Sequence, residues 1–228
     1  MTNPPYHEPL TVIIPCRNAE GTIERAIQSA CNAGADYVYV YDDASTDKSF
    51  EVLDSIWCKY PPLQIWSISE CRSGVVFARN YLIEQADYGL IVPLDADDTL
   101  HDLEPFKLAF TPHTWLYGDW IERTPEAHLM KAPPPGVLAR KNICHATMVF
   151  HKSDWQKAGG YDVDFGYAED YGLQCALTHS GVRPVHVPAV LYDRYIQQNQ
   201  RTAKAVEYWT FYRNMARGKY PAVFAGTG

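Results

Sequence analysis

Leu90-Ile91-Val92-Pro93-Leu94-Asp95-Ala96-Asp97-Asp98 is the stretch on which the fold turns. An apolar run from Leu90 to Leu94 passes straight into three carboxylates within four positions. A short apolar run bounded by polar residues reads as a buried strand. Carboxylates crowded on one tight turn repel one another unless a cation neutralises them. Hard oxygen ligands suit Mn2+ or Mg2+, usually beside substrate phosphates. The bland alternative is a solvated acidic turn in which Asp98 or Thr99 caps the next helix. Placement at the end of an apolar strand favours the cation.

Working back from that strand, the same pattern repeats. Leu10–Ile14 is a β-branched run ending at Pro15, followed by the polar cluster Cys16-Arg17-Asn18. From Thr22, Ile23, Ala26, Ile27 and Ala30 recur at helical spacing, with Gly34 as a stop. Tyr37–Tyr41 reads as a second strand and runs into Asp42-Asp43-Ala44-Ser45-Thr46-Asp47. Ser45 or Thr46 is expected to cap a helix whose buried stripe is Phe50, Leu53, Ile56 and Trp57. Leu63–Ile68 is a third strand, and Gly74 precedes a helix carrying Val75, Ala78, Leu82 and Ile83. Strands alternating with helices imply a mostly parallel sheet covered on both faces, Rossmann-like, with ligands beyond the carboxyl ends of the strands. Those ends would gather the three polar clusters.

The second half is less regular. Strands are expected at Trp115–Ile121 and Thr147–His151, with a loop over Lys131–Gly136 around three prolines. Ser153 is the expected cap of a short helix ending at Gly159-Gly160. Helical patterns cover Tyr171–His179, after Glu169-Asp170, and 199–217, with a frayed tail beyond. His186 reads as a strand residue; His145 and His151 read as structural. A carboxylate at Glu169-Asp170 can act as general base or simply favour a helix N-terminus.

Composition bounds the function. The 228 residues are 46% hydrophobic and 21% charged, as in a globular domain. The net charge of −7 disfavours nucleic acid as a partner, since that needs a basic face. No stretch reaches the ~20 apolar residues of a membrane span, and the polar, proline-rich start lacks a secretory pattern, so a cytoplasmic protein is expected. Six scattered cysteines without a C-x-x-C pair read as reduced thiols.

The motifs together resemble glycosyltransferase family 2, inverting enzymes of the GT-A fold. Thr11-Val12-Ile13-Ile14-Pro15-Cys16-Arg17-Asn18 looks like that family's first strand and nucleotide loop. Asp42 to Asp47 is similar to its D-D-x-S-x-D segment, and Gly74, Ala78, Arg79 and Asn80 match G-x-x-x-A-R-N. Asp95-Ala96-Asp97-Asp98 matches D-x-D-D. Gly159-Gly160-Tyr161-Asp162 with Glu169-Asp170 resembles G-G-[FY]-D…E-D. The order holds from about Leu10 to Tyr195.

This resemblance implies a single GT-A domain: a nucleotide-sugar-binding half over about 10–100 and an acceptor-binding half over about 101–228, with short flexible termini. It implies that Pro15, Arg17, Asn18 and Asp43 contact the nucleotide and that Arg79 supports its site. Asp97 would bind the metal bridging the diphosphate, with Asp95 and Ala96 against the ribose or the metal's water. Asp170 would be the catalytic base, with Glu169 as its competitor, and Arg194 would offset diphosphate charge. The donor expected is a UDP-sugar; the acceptor is a glycan, a protein or another small molecule. One departure stands out: Asp193-Arg194-Tyr195-Ile196 has Ile196 where the family often has a histidine touching the diphosphate or metal. A nucleotide-sugar-binding module without turnover is therefore the alternative. A nucleotidyltransferase would need a basic, glycine-rich loop after the first strand, which Cys16 to Gly21 does not supply.

Overall fold

The computed structural model describes residues 8–68, 71–87, 89–196 and 207–225. Its first half is a sheet of β1 (Leu10–Cys16), β2 (Tyr37–Asp43), β3 (Leu63–Ile68) and β4 (Leu90–Pro93), parallel in the order β3-β2-β1-β4. A short strand β8 (Phe150–His151) closes the β4 edge antiparallel. Helices α1 (Ile23–Asn32), α2 (Ser49–Ile56) and α3 (Val75–Gln85) supply the crossovers.

The period-2 alternation of the strands separates two cores. Val12, Ile14, Val38, Val40 and Val92 face one way, onto Ile23, Ala26, Ile27 and Ala30 of α1 and Leu53 of α2. Ile13, Tyr39, Tyr41 and Ile91 face the other way, onto Val76, Ala78, Leu82 and Ile83 of α3. The sheet is thus covered on both faces, as the unbroken apolar runs require.

The second sheet has the order β5-β9-β6-β7: β5 (Thr99–Leu100), β6 (Thr114–Arg123), β7 (Ala127–Met130) and β9 (Arg183–Tyr195). β6 and β9 run parallel with a register shift around Gly118 and Asp119. Gly118 is required there, because a Cβ would stand 2.6 Å from both the Ala189 carbonyl and the Phe106 ring. Reciprocal backbone bonds between Leu116 and Val149 join this sheet to the first. Among the described residues of the second half are the helices α4 (Glu104–Ala109), α5 (Lys152–Ala158), α6 (Glu169–His179) and α7 (Trp209–Lys219), with a short α8 (Pro221–Phe224) after them.

Several local expectations are corrected. Neither Ser45 nor Thr46 caps α2; the chain enters it through Lys48, and Asp47 Oδ1 accepts from the Ser49 amide at 3.0 Å. Ser45 and Thr46 are instead bonded to Asn18 across the strand ends. Phe50 and Trp57 are exposed, so the buried face of α2 is Ser49, Leu53 and Ile56. His151, not Ser153, caps α5, its Nδ1 accepting from the Ser153 amide at 3.1 Å. Asp98 and Thr99 cap no helix, since Thr99 enters β5. The expected strand at Thr147–His151 is confined to Phe150–His151, with Val149 bridging just before it. Of the expected helix over 199–217, residues 199–206 lie outside the described residues; 209–217 belong to α7, and the expected frayed tail holds α8. His186 does lie in a strand, β9.

Candidate active site

Parallel strands bring their carboxyl ends to one rim, so the loops after β1, β2 and β4 meet there although they are far apart in sequence. Asn18 stitches the first two together. It sits at φ 51°, its amide donates to Ser45 Oγ at 3.0 Å, and its Oδ1 accepts from the Thr46 amide at 2.8 Å. An asparagine tolerates this left-handed conformation better than most residues. Arg17 Nη1 donates to the carbonyls of Asp43 and Ala44, at 2.5 and 2.8 Å. The Asp43 carboxylate accepts from the amides of Ser73 and Gly74 at 2.5 and 2.9 Å, which fixes the chain entering α3. Gly74 stands at φ 90°, where a Cβ would be strained.

Beyond β4, the acidic turn is held from three sides. Arg25 of α1 donates to the Asp97 carbonyl at 2.7 Å, and Asp98 Oδ1 accepts from the Tyr195 amide at 2.9 Å. Arg79 of α3, only 2% exposed, donates to Asp95 Oδ1 at 2.7 Å and to Glu169 Oε1 at 2.8 Å. Arg79 thus ties the acidic turn to the head of α6. Burial, with Asp95 alongside, pushes the Asp97 carboxyl above its ordinary range; the same causes push Asp98 up to about 8. Among the described residues, no three His, Cys, Asp or Glu side chains stand close enough to cage a metal ion. The residues that could offer a cation one or two oxygens, leaving the rest of its shell to phosphate and water, are the carboxylates of this turn.

At the head of α6, the two adjacent carboxylates have different partners. Glu169 is buried against Arg79. Asp170 Oδ2 accepts from Asn142 Nδ2 at 2.8 Å, and Asn142 Oδ1 in turn accepts from Gln174 Nε2 at 2.7 Å. Burial, joined by the Glu169 charge, pushes the Asp170 carboxyl up to about 6. His145 is kept neutral by burial and by Arg194, its pKa lowered to about 3, and its Nδ1 pairs with the Tyr192 hydroxyl at 2.7 Å.

One cavity of about 1420 Å³ is lined by all of these parts: Pro15 to Asn18, Asp43, Arg79, Asp95 to Asp98, Glu169-Asp170 and Arg194. Every site residue singled out in the sequence faces it. Ile196 lines it too, in the position where a histidine was expected.

Residues 11–110 match the family model described as Glycosyl transferase family 2. Over that first half the chain is similar to glycosyltransferase family 2. Over 214 residues it is 22% identical to a chondroitin synthase of Pasteurella multocida (strain Pm70), covering 87% of this chain and 22% of that protein. Over 91 residues it is 32% identical to an uncharacterized glycosyltransferase of Haemophilus influenzae, covering 39% of this chain and 36% of the other. The crystal structure of S. aureus TarS 1-349 in complex with UDP-GlcNAc superposes with a TM-score of 0.70 at 16% identity, over 86% of this chain and 61% of that one. The domain therefore spans about a fifth of the synthase it matches. Its fold is the GT-A fold expected from the motifs. Among the described residues, no helix is long and apolar enough to cross a membrane.

Sequence reasoning missed several residues that line this cavity or support its lining. Gln174, buried behind Asn142, was within reach, since it lies one helical turn after Asp170 on the same face. Asn142 and His145, which line the cavity, and Arg25, which holds the acidic turn, sit outside any motif, and only the tertiary fold brings them in.

Proposed function

We propose that this chain is a family 2 glycosyltransferase, inverting and metal-dependent, that moves a sugar from a UDP-sugar to an acceptor hydroxyl. The observation that carries this reading is the single cavity that joins the nucleotide loops, the acidic turn and the α6 carboxylates. The TarS structure in complex with UDP-GlcNAc, sharing the fold, supports the choice of donor class. In this reading residues 10–100 hold the donor and residues 101–228 face the acceptor. The six cysteines are free thiols, which suits the reducing cytoplasm.

The chemistry is one in-line displacement. The acceptor oxygen forms a bond to the anomeric carbon as the bond from that carbon to the diphosphate oxygen breaks. The hydroxyl proton passes to Asp170, and UDP leaves with the electron pair. Attack opposite the leaving group inverts the anomeric centre. Asp170 suits the base role because its second neighbour, Asn142, fixes its direction and because its raised pKa lies near working pH. Glu169, paired with Arg79, acts as a positioning group. Asp97, with Asp95 nearby, would hold Mn2+ or Mg2+, which when bound neutralises charge building on the diphosphate. Arg194 lines the same wall and adds a fixed positive charge.

The test is release of UDP from UDP-GlcNAc and other UDP-sugars by the purified chain with manganese. Release that disappears in excess chelator supports the reading. Tight UDP binding with no turnover toward any acceptor would leave a nucleotide-sugar-binding module, and full activity in chelator would remove the metal.

A further inference from the structure

The cavity is larger than one donor needs. At about 1420 Å³ it exceeds the ~300–1,000 Å³ of a site for one drug-sized ligand. The nucleotide loops, the acidic turn and Asp170 line it together with Tyr167, Trp209, Asn142 and His145. Tyr167 lies in the turn before α6, its amide donating to the Tyr212 hydroxyl of α7 at 3.3 Å. Trp209 opens α7, and its ring centroid lies 4.7 Å from that of Tyr171, the residue after Asp170. Two aromatic side chains thus line the cavity that holds the carboxylate, and two uncharged polar side chains line it with them.

That mixture has a chemical meaning. A pyranose ring presents a face of C–H bonds and an edge of hydroxyls. The C–H face packs on the negative face of an aromatic ring, which offers large, rigid contact area. The hydroxyl edge needs donors and acceptors without net charge, which an amide and a neutral imidazole supply. A nucleic acid would also stack, but its phosphates need a basic wall, and this chain has a net charge of −7. A peptide acceptor would call for an open groove or a strand edge to pair its backbone.

We propose that Tyr167 and Trp209 form the platform for an acceptor sugar ring, turning one of its hydroxyls toward Asp170, so that the acceptor is a saccharide. The proposal rests on reading the cavity as a transferase site. α7 belongs to the site in this view: by docking beside Tyr171 it brings Trp209 to the mouth.

The experiment uses the full chain with manganese and UDP-GlcNAc, UDP-glucose or UDP-galactose. Three acceptor sets are compared: methyl glycosides with short oligosaccharides, a serine- and threonine-containing peptide, and a short single-stranded RNA. UDP release is the readout. A saccharide should stimulate release. Tyr167→Ala and Trp209→Ala should each raise the KM for that saccharide about tenfold with a smaller change in kcat, and Trp209→Phe should restore most of the affinity. UDP affinity by calorimetry should stay at the wild-type value in all three, which shows that they fold. Stimulation by peptide or RNA in place of saccharide would overturn the proposal, as would an unchanged saccharide KM in both alanine variants. UDP binding without stimulation by any saccharide would overturn it alone. A wild-type chain that binds no UDP would overturn the transferase reading and this proposal with it.

Discussion

Glu169 and Asp170 are neighbours in sequence, and their partners assign them different work. In the proposed mechanism Glu169 is fixed on Arg79 and the proton-accepting role falls to Asp170. Asp170→Asn keeps the side-chain shape and should lower transfer rate at saturating donor by ~100-fold to 10,000-fold, with UDP affinity retained in calorimetry. The base works only when ionised. As pH falls through its raised pKa, near 6, the rate should fall about tenfold per unit, so the acid limb lies well above the range of an ordinary carboxylate. The Asn142 bond favours the ionised form and lowers that pKa, so Asn142→Ala should move the acid limb to higher pH. A pH–rate profile unchanged by Asn142→Ala would show that the bond does not orient the acting base. At the acidic turn, Asp97→Asn should abolish the response to added manganese, measured as UDP affinity with and without the ion.

Elements decide how faithfully these residues are held. The loop between Gly159 and Ala168 is gripped on two sides. Lys219 of α7 bonds Asp162 and Asp164, and the Phe165 ring lies on Gly172 of α6. A Cβ on Gly172 would come within 2.7 Å of that ring, so Gly172→Ala should cost about 1–3 kcal/mol in denaturant unfolding. The Asp43 carboxylate ties the end of β2 to the start of α3 through two amides. Asp43→Ala leaves both donors unsatisfied and should therefore lower stability together with nucleotide affinity; a loss of affinity at unchanged stability would make Asp43 a contact to the nucleotide alone. The strands and helices of the first half were legible because burial on both sheet faces writes long apolar runs. Helix starts were not. Ser45 and Thr46 have the right chemistry for a cap, but the asparagine at position 18, distant in sequence, claims them, and Asp47 takes the local role. The stripe through Phe50 and Trp57 failed because apolar spacing does not reveal whether a neighbouring layer exists to cover it.

Across the whole molecule, the motifs were legible and their connections were not. Each acidic cluster could be found as a strand end or helix start, yet nothing in the sequence says that Asp95 and Glu169 share one cation. Arg79 makes that link, joining the turn after β4 in the first half to α6 in the second. Burial by itself would pull its pKa down, but Asp95, Glu169 and the other acids around it outweigh burial and keep the guanidinium charged. Arg79 and Glu169 therefore form a buried ion pair, which the half-exposed Asp95 joins from the cavity side to make a triad, and such groups respond asymmetrically to mutation. Removing the cation leaves the buried Glu169 carboxylate without Arg79, at a cost of about 3–5 kcal/mol. Lysine is a poor substitute, because one ammonium lacks the forked donors that reach two carboxylates at once. Arg79→Met should thus lose stability heavily, and Arg79→Lys should lose a large part of it. The pair Arg79→Met and Glu169→Gln decides whether the link is energetic or only geometric. If the triad couples the halves, the double variant should be clearly more stable than the sum of the two single losses predicts, since the neutral glutamine relieves the orphaned charge. Additive losses in denaturant unfolding would mean that the Arg79–Glu169 link is only geometric and that the other contacts between the halves hold them together.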